Sequence, residues 1–333
     1  MVLNPTRSTS TLLQLRFSLR TFPRPGLICA LDYNSLFMTR HAMVRRLLRL
    51  FAVLPLYPGV AAAEISATNH PIPGISIFSE SRAQPPTRLF VAVIDLRNHN
   101  LRLRVAAAGP DPDGAGPWQT TLMRPTKIAE REGMVLVVNG DFFRARGVND
   151  AEGTNATFRS ELWGAVTGPA VSAGKVWSIS ANSRPCLAVD QSGRANISRL
   201  GSPGTNFLEV VSGNTLLVES GNALPQTKQL RHPRTAVGLD AKRERLVLVV
   251  VDGRKPGLAI GMTYGEVAQE MIRMGCHDAL NLDGGGSSVM AVREPGAKEF
   301  RILNEPTDGR ERAVANVLGI TFLAPAKTGA ARD

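Results

Sequence analysis

The sequence is poor in cysteine, and this limits the part that disulfides or thiol-bound metals can play. Only three of the 333 residues are cysteine, and Cys29 lies in the first 63 residues. The other two, Cys186 and Cys276, belong to no CxxC motif and have no metal-ligand spacing. They are either one disulfide or two buried thiols, and the sequence leaves both open.

Several catalytic motifs are missing as well. The chain has no G-x-S-x-G, no H-E-x-x-H, no G-x-G-x-x-G and no Walker lysine motif. These absences argue against a serine-hydrolase elbow, a zinc peptidase, a dinucleotide-binding turn and a P-loop. Aromatic residues make up 5% of the chain, too few for the basic and aromatic surface that stacks single-stranded bases. We therefore expect no nucleic-acid partner.

The net charge of +11 is concentrated at the start of the chain. Residues 1–63 hold eight arginines and one acid, whereas the rest of the chain holds 31 basic and 27 acidic residues. Residues 43–63 combine Arg45, Arg46 and Arg49 with an apolar stretch that ends in three alanines, as a secretory signal does. That stretch is shorter than the roughly 20 residues of a membrane span, although an anchoring helix is the alternative.

This pattern predicts a processed, exported protein. Residues 1–42 lack periodicity and precede Met43, so we interpret them as outside the native product or without structure. We predict cleavage near Glu64, one domain over 64–333 with its core at 88–323, and no stable membrane insertion afterwards. The product would be periplasmic or extracellular, and its oligomeric state is left open.

Short apolar segments separated by turn residues predict mostly β-structure. A helix at 263–275 is indicated by the capping box of Thr263 and Glu266 and by Gly275 at its end. The pattern predicts an α+β domain with a mixed, mostly antiparallel sheet core and few helices. Within it we expect a hairpin at 88–109, a helix in 120–133, a β meander over 161–230 and a hairpin over 234–254.

Polar side chains follow several predicted strands, where a rigid element can aim them at a ligand. These residues are Asn139 and Asp141, then Asp252 and Arg254, then Asn281 and Asp283. After Asp283 the chain has three glycines and two serines. Their amides and hydroxyls could form a nest for an anion, or the glycines could only permit a tight turn with positive φ. Arg234 and Arg254 have the planar guanidinium geometry that suits a phosphate. His232 is either a hydrogen-bond donor at the site or a residue with a structural role.

Five segments, in this order, resemble the phosphodiester glycosidase family. They are "NGDFF" (139–143), "HPRTAVGLD" (232–240), "VVVDGR" (249–254), "DALNLDGGGSS" (278–288) and "ERAVAN" (311–316). The family includes an enzyme that removes a sugar from a sugar-phosphate diester, together with many exported bacterial proteins. The resemblance implies cleavage of the glycosidic bond of a sugar-1-phosphodiester.

The resemblance also implies roles for individual residues. Arg234, Arg254 and the amides of Gly284, Gly285 and Gly286 would hold the phosphate. Asp283 and Asp252 would act at the anomeric carbon or on water, as paired carboxylates do in sugar hydrolysis. Asp141 is a third catalytic candidate, although relatives often carry a small residue there. The remaining expected substrate-binding residues are Asn139, His232, Thr235, Ser287, Ser288, Glu311 and Asn316, with Arg312 nearby.

Three functions fit this inventory. The first is an exported hydrolase of sugar-1-phosphodiesters or other anionic glycans, acting on envelope or exopolysaccharide material. The second is a non-catalytic polysaccharide-binding protein that uses the same cleft. The third replaces the phosphate with Ca²⁺ or Mg²⁺ held by Asp141, Asp252 and Asp283. It ranks lower because glycine amides are donors and repel cations, so no cofactor is expected.

Overall fold

The computed structural model describes residues 64–68, 72–148, 157–227 and 229–323. The expected leader, residues 1–63, lies outside these ranges. No helix in the described part of the chain is long and apolar enough to cross a membrane. The helices are α1 (Pro125–Arg131) and α2 (Tyr264–Arg273), with a 3₁₀ turn at Gly285–Ser287. The strands are β1 (Glu64–Thr68), β2 (Ile75–Ala83), β3 (Pro86–Asp95), β4 (Leu101–Ala107), β5 (Thr120–Thr121), β6 (Met134–Asn139), β7 (Phe143–Ala145), β8 (Trp163–Val166), β9 (Ala170–Ser172), β10 (Lys175–Ser178), β11 (Arg184–Asp190), β12 (Ala195–Leu200), β13 (Phe207–Ser212), β14 (Thr215–Glu219), β15 (Asn222–Ala223), β16 (Arg234–Leu239), β17 (Arg245–Val251), β18 (Asp278–Asn281), β19 (Met290–Val292), β20 (Arg301–Ile302) and β21 (Asn316–Phe322).

The strands form four sheets whose pairings within the described residues are antiparallel. The large sheet has the order β1-β2-β3-β17-β16-β18-β14-β15. The second sheet is β20-β19-β6-β21-β4, the third is β10-β9-β13-β11-β12, and the small sheet is β5-β8-β7. The predicted α+β class with a mostly antiparallel core is therefore confirmed.

Strand β17 shows how the layers pack. Successive side chains of a strand point to opposite faces of its sheet. Leu246, Leu248 and Val250 enter a core shared with the second and third sheets. Val247 and Val249 face the other way, into a core that also contains residues of α2. After Arg245 the strand is apolar because both of its faces are buried, and this places the large sheet between α2 and the other two sheets.

The two helices begin with different caps. Thr263 accepts a hydrogen bond from the Glu266 amide, and the Glu266 carboxylate accepts one from the Thr263 amide, so the predicted capping box of α2 is formed. Helix α1 begins at Pro125, later than the predicted 120, because proline suits the first helical position. The carboxylate of Glu311 accepts hydrogen bonds from the Thr126 amide and hydroxyl at 3.0 and 2.5 Å.

Two expectations about pairing were wrong. Strands β3 and β4 do not form a hairpin, because β2 and β17 occupy both edges of β3 and β4 pairs with β21. The segment 161–230 is not a simple meander, because β13 inserts between β9 and β11, and β14 leaves for the large sheet. The hairpin of β16 and β17 is confirmed, with Ala236 opposite Val249. Cys186 and Cys276 are both buried free thiols, which settles the disulfide question.

The polar segments converge where three strands end. Strand β16 begins at Arg234, and its antiparallel neighbour β18 ends at Asn281, so these two termini lie side by side at one end of the strands of the large sheet. Strand β6 of the second sheet brings Asn139 to the same place, since the Asn139 side chain donates to the Asp283 carbonyl at 2.7 Å. The two sheets thus meet at the glycine-containing turn.

Candidate active site

Asp283 lies at the centre of the site, two residues beyond β18. Its carboxylate accepts a hydrogen bond from the Gly284 amide at 2.8 Å and another from the Ser287 hydroxyl. Burial raises the pKa of Asp283 to about 6, while the two hydrogen bonds and the charge of Arg312 oppose that rise. A carboxyl group with this pKa can change its protonation near neutral pH, as acid/base groups do.

The predicted nest of three free amides is not formed. The Gly284 amide is bound by the carboxylate of Asp283, and the Gly285 amide donates to the Pro233 carbonyl at 2.9 Å. Within the described residues only the Gly286 amide of this run has no acceptor. The hydrogen bonds tie the turn to β16 and to Asp283. The turn therefore offers one free amide donor to a ligand.

Close approach of other groups explains why the turn consists of glycines. A Cβ on Gly284 would lie 2.8 Å from the Pro233 carbonyl oxygen, which is closer than real Cβ contacts. A Cβ on Gly286 would lie 1.9 Å from a terminal nitrogen of Arg312. Gly285 has a φ of +61°, in the left-handed region that glycine adopts without strain. The missing side chains let a main-chain carbonyl and a guanidinium pack directly on the turn.

Arg234 presents a buried positive charge to the site. Its guanidinium donates to the carbonyls of Met262 at 3.0 Å and Leu230 at 2.8 Å, and it lies 4.1 Å from the ring centre of Tyr264. No carboxylate in the described residues forms an ion pair with it. Burial lowers the pKa of Arg234, which reflects the cost of desolvating its charge. An anionic ligand would compensate this charge.

Two more guanidinium groups face the same space. Arg254 is exposed, has no hydrogen-bond or ion-pair partner among the described residues, and adopts a φ of +60°. This left-handed backbone is costly for a residue with a side chain. Arg312 packs on the ring of Phe158 at 4.6 Å and pairs with Asp308 at 2.9 Å. The site is therefore strongly cationic.

His232 lies between the arginines as a neutral imidazole. Burial lowers its pKa, and the charges of Arg234 and Arg254 lower it further. Its Nδ1 atom is buried and has no hydrogen-bond partner in the described residues. The ring can therefore offer a hydrogen bond to a ligand without adding charge.

These groups line one cavity of about 610 Å³, a volume typical of small-molecule sites. Seven predicted residues line it: His232, Arg234, Arg254, Asp283, Gly284, Gly285 and Gly286. Residues beyond that prediction complete the lining: Phe142, Thr227, Gln229, Leu230, Tyr264 and Arg312. Asp283 supplies the carboxylate of this lining, which also contains three arginines. The cavity therefore suits an anion next to a single acidic group.

The structure places Asp141 away from this lining. The residue is 2% exposed. Its carboxylate accepts hydrogen bonds from the Ser212 amide at 3.0 Å, from the Ser212 hydroxyl and from the Asn316 side chain at 2.5 Å. Burial raises its pKa to about 7, and these hydrogen bonds oppose the rise. Asp141 joins β13 to β21 and does not line the cavity, although it was predicted as a catalytic residue.

Asp252 also lies outside the lining. Its carboxylate accepts hydrogen bonds from the Asn304 side chain at 3.2 Å and the Glu305 amide at 3.0 Å, with Arg88 at 3.8 Å. Burial raises its pKa. The side chain therefore holds the loop after β20 and does not line the cavity, although a role beside Asp283 was predicted. The hydroxyl of Ser288, which was predicted to bind substrate, is also buried and has no hydrogen-bond partner among the described residues.

Asn139 and Thr235, both predicted to bind substrate, are buried and do not line the cavity. Both are 0% exposed. The Asn139 side chain donates to the Asp283 carbonyl, and its oxygen accepts from the Thr235 hydroxyl at 2.7 Å and the Val289 amide at 3.2 Å. These bonds fix the backbone on both sides of the glycine turn.

Asn316 and Glu311 are likewise occupied by the protein. Asn316 binds Asp141 through its side-chain nitrogen and accepts the Asp141 amide at 2.8 Å through its oxygen. Glu311 caps α1 through Thr126. Neither residue lines the cavity, so the sugar-orienting role predicted for Asn316 and the substrate-binding role predicted for Glu311 have no geometric support.

The alternative cation site is not assembled. Asp141, Asp252 and Asp283 are held by different partners and do not converge. Within the described ranges no group of three or more histidine, cysteine or acidic side chains is placed to hold a metal ion.

Sequence reasoning missed Tyr264 and Phe142 and mentioned Arg312 only as a neighbour of Glu311. Tyr264 directly follows Thr263, the N-cap residue of α2. Its place under Arg234 depends on the contact between that helix and β16. Because such contacts are set by tertiary packing, the only usable signal was that Phe142 and Arg312 belong to segments of the resemblance.

The fold and the cavity define a mostly antiparallel β-protein with a cationic cleft around one carboxylate. The chain belongs to the phosphodiester glycosidase family, whose model matches residues 132–321, more than half of the chain. A curated relative, the SPbeta prophage-derived uncharacterized protein YomE of Bacillus subtilis, is 38% identical over 93 residues. That match covers 28% of this chain and only 13% of the relative.

Solved structures share the fold at low sequence identity. The catalytic domain of zebrafish N-acetylglucosamine-1-phosphodiester alpha-N-acetylglucosaminidase, auto-inhibited by its pro-peptide, is 18% identical with a TM-score of 0.54, over 78% of this chain and 88% of that chain. A hypothetical protein from Synechocystis is 17% identical with a TM-score of 0.50, over 78% and 64%. A Burkholderia pseudomallei protein named as exported is 18% identical with a TM-score of 0.50, over 71% and 74%. At these identities the likeness establishes the fold alone.

Proposed function

We propose that this protein hydrolyses the glycosidic bond of a sugar-1-phosphodiester. The observation that carries the proposal is Arg234, a buried guanidinium that lines the same cavity as Asp283 and has no carboxylate partner in the part of the chain that the structure describes. A buried charge without a partner is costly, so a protein keeps it where a ligand supplies the opposite charge. Arginine also matches the geometry of phosphate oxygens. Membership of the family supports the same class of substrate.

The leaving group explains how one carboxylate suffices. Many glycosidases use one acid to protonate the leaving oxygen and a second carboxylate at the anomeric carbon. The group that leaves is a phosphate monoester, which is a stable anion, so it needs charge stabilisation more than it needs a proton. Arg234, Arg254 and Arg312 would supply that stabilisation, with the free Gly286 amide as a further donor.

Asp283 would then act in its ionised form. It would either attack the anomeric carbon or take a proton from the attacking water, and both roles require a carboxylate. The hydrogen bonds from Gly284 and Ser287 favour this form and orient it. Asn139 would hold the Asp283 backbone in place through the bond to its carbonyl.

We also propose that the protein is exported and acts on envelope or extracellular glycans. The basic and apolar composition of residues 43–63 supports export, as does the fold shared with a protein named as exported. N-terminal sequencing of the mature product tests it, with a start near Glu64 expected and an intact Met43 terminus contradicting it.

The Asp283→Asn variant tests the proposed mechanism. Asparagine keeps the shape of the side chain but cannot become an anion. We expect kcat on sugar-1-phosphodiesters to fall by about 10²-fold or more, as when a catalytic group is lost, while substrate binding by calorimetry stays within about threefold. Asp252→Asn is the matched control, since that carboxylate lies outside the cavity lining, and it should retain turnover. Wild-type turnover in Asp283→Asn would remove Asp283 from the mechanism. Binding without any turnover by the wild type would favour the polysaccharide-binding alternative.

A further inference from the structure

A second cavity, of about 340 Å³, is also rich in arginine. Its lining includes Arg124, Arg159, Arg310, Phe158 and the two carboxylates Glu161 and Glu311. None of the three arginines belongs to the first cavity. Their placement is therefore a separate feature of the molecule.

The two cavities meet at one side-chain contact. Arg312 lines the first cavity and lies 4.6 Å from the ring centre of Phe158, which lines the second. Arg310 precedes Arg312 by two residues, so their Cα atoms are at most about 7 Å apart. A ligand chain that leaves the first cavity past Arg312 would enter the second over Phe158.

The charges of the second cavity favour an anion. The side chains of Arg124, Arg159 and Arg310 have no hydrogen-bond or ion-pair partner among the described residues. The Glu311 carboxylate is engaged by Thr126. This leaves Glu161 as the opposing free carboxylate of the lining.

Each cavity also contains one residue with a left-handed backbone. Glu161 has a φ of +71°, which is costly for a residue with a side chain. Arg254 shows the same conformation at the first cavity. The conformation is not confined to the cavities, because Ala173, Ser220 and Arg243 adopt it outside both linings.

We propose that the second cavity is a subsite for the next anionic group of an extended glycan. The substrate class is then a polymer with repeated negative charges, such as sugars joined by phosphodiester links, rather than a small diester. This inference rests on the proposed function, because the first cavity must hold the phosphodiester that is cleaved. Arg124, Arg159 and Arg310 would bind the neighbouring phosphate through charge-assisted hydrogen bonds.

The test uses two probes and one combined variant. The probes are the methyl diester of N-acetylglucosamine 1-phosphate, with one anionic group, and a tetramer of the same sugar joined by 1-phosphodiester links. The variant carries Arg124→Ala, Arg159→Ala and Arg310→Ala in the full chain. The control is Arg199→Ala, because this exposed arginine lies on β12 outside both linings.

We expect the combined variant to lower kcat/KM on the tetramer by about tenfold, because three exposed charge contacts that are each modest are lost together. Its kcat/KM on the methyl diester should stay within about twofold of wild type. High salt should shrink the difference, because these charges are accessible to solvent. An equal loss on both probes, no loss on the tetramer, or the same loss in Arg199→Ala would overturn the subsite. If the wild type cleaves neither probe, the proposed function fails. Calorimetric binding of the tetramer then tests the subsite on its own. About tenfold weaker binding by the combined variant supports the subsite, and equal binding overturns it.

Discussion

The substitution Gly286→Ala tests how the glycine turn serves the site. The new Cβ would lie 1.9 Å from a terminal nitrogen and 2.3 Å from the central carbon of the Arg312 guanidinium, so that group must move. The clash is with the end of a flexible side chain, so the backbone should not shift. We expect the free energy of unfolding in urea to stay within about 1 kcal/mol of wild type. The same change at Gly204, where a Cβ meets nothing within 4 Å, is the control.

Activity should respond much more strongly than stability. A hydrogen bond to a charged group contributes about 1.5–3 kcal/mol, so a displaced Arg312 should lower kcat/KM by about 10- to 150-fold. Initial rates on a sugar-1-phosphodiester measure this loss. Arg312→Ala should show a similar loss, and the double variant should lose no more than Arg312→Ala alone, because both changes remove one interaction. Losses that add in the double variant, or a fully active Gly286→Ala, would refute this account of the turn.

Three further predictions concern charge and strain. Asp283 acts ionised and its pKa is raised to about 6, so kcat/KM should increase as pH rises through about 6. The charge of Arg312 lowers the pKa of Asp283, so Arg312→Ala should move this increase to higher pH. A kcat/KM that falls through about pH 6 would instead make Asp283 a general acid. Arg254→Gly should stabilise the fold by about 1 kcal/mol in urea unfolding, because glycine relieves the cost of a φ of +60°, and it should reduce activity. The control is Ala173→Gly, at a φ of +49°, which should stabilise the fold and leave activity unchanged. Equal activity in the two variants would exclude Arg254 from substrate binding. The pKa of Asp141 is raised from 3.8 to about 7, so its protonated form favours folding and the benefit is lost as pH rises between those values. Urea unfolding should thus depend less on pH in Asp141→Asn than in wild type, and identical slopes would contradict the buried, protonated state.

Local patterns predicted the elements that depend on local interactions. The hairpin of β16 and β17 followed from two apolar segments around a charged turn. Helix α2 followed from Thr263 and Glu266, three residues apart. The hairpin expected at 88–109 failed because the partners of a strand are set by distant segments. Leu248, for example, lies opposite Ala92, far away in the sequence.

The site followed the same division. Asp252 directly follows β17 and Asp283 lies two residues beyond β18, so both were expected at the ends of strands. Contacts with Asn304 and Glu305 take Asp252 out of the site, and these residues lie some fifty positions further along the chain. The cleft depends on which loops meet. The sequence therefore predicted the kinds of group in the cleft, arginines beside a carboxylate, better than the full set of lining residues.

The position of bond cleavage tests the central claim most directly. The wild-type protein would hydrolyse a sugar-1-phosphodiester in water labelled with heavy oxygen, and mass spectrometry would locate the label. Attack at the anomeric carbon, assisted by Asp283, places the label in the released sugar and leaves the phosphate monoester unlabelled. Label in the phosphate would mean that the P–O bond breaks, and would contradict a glycosidase.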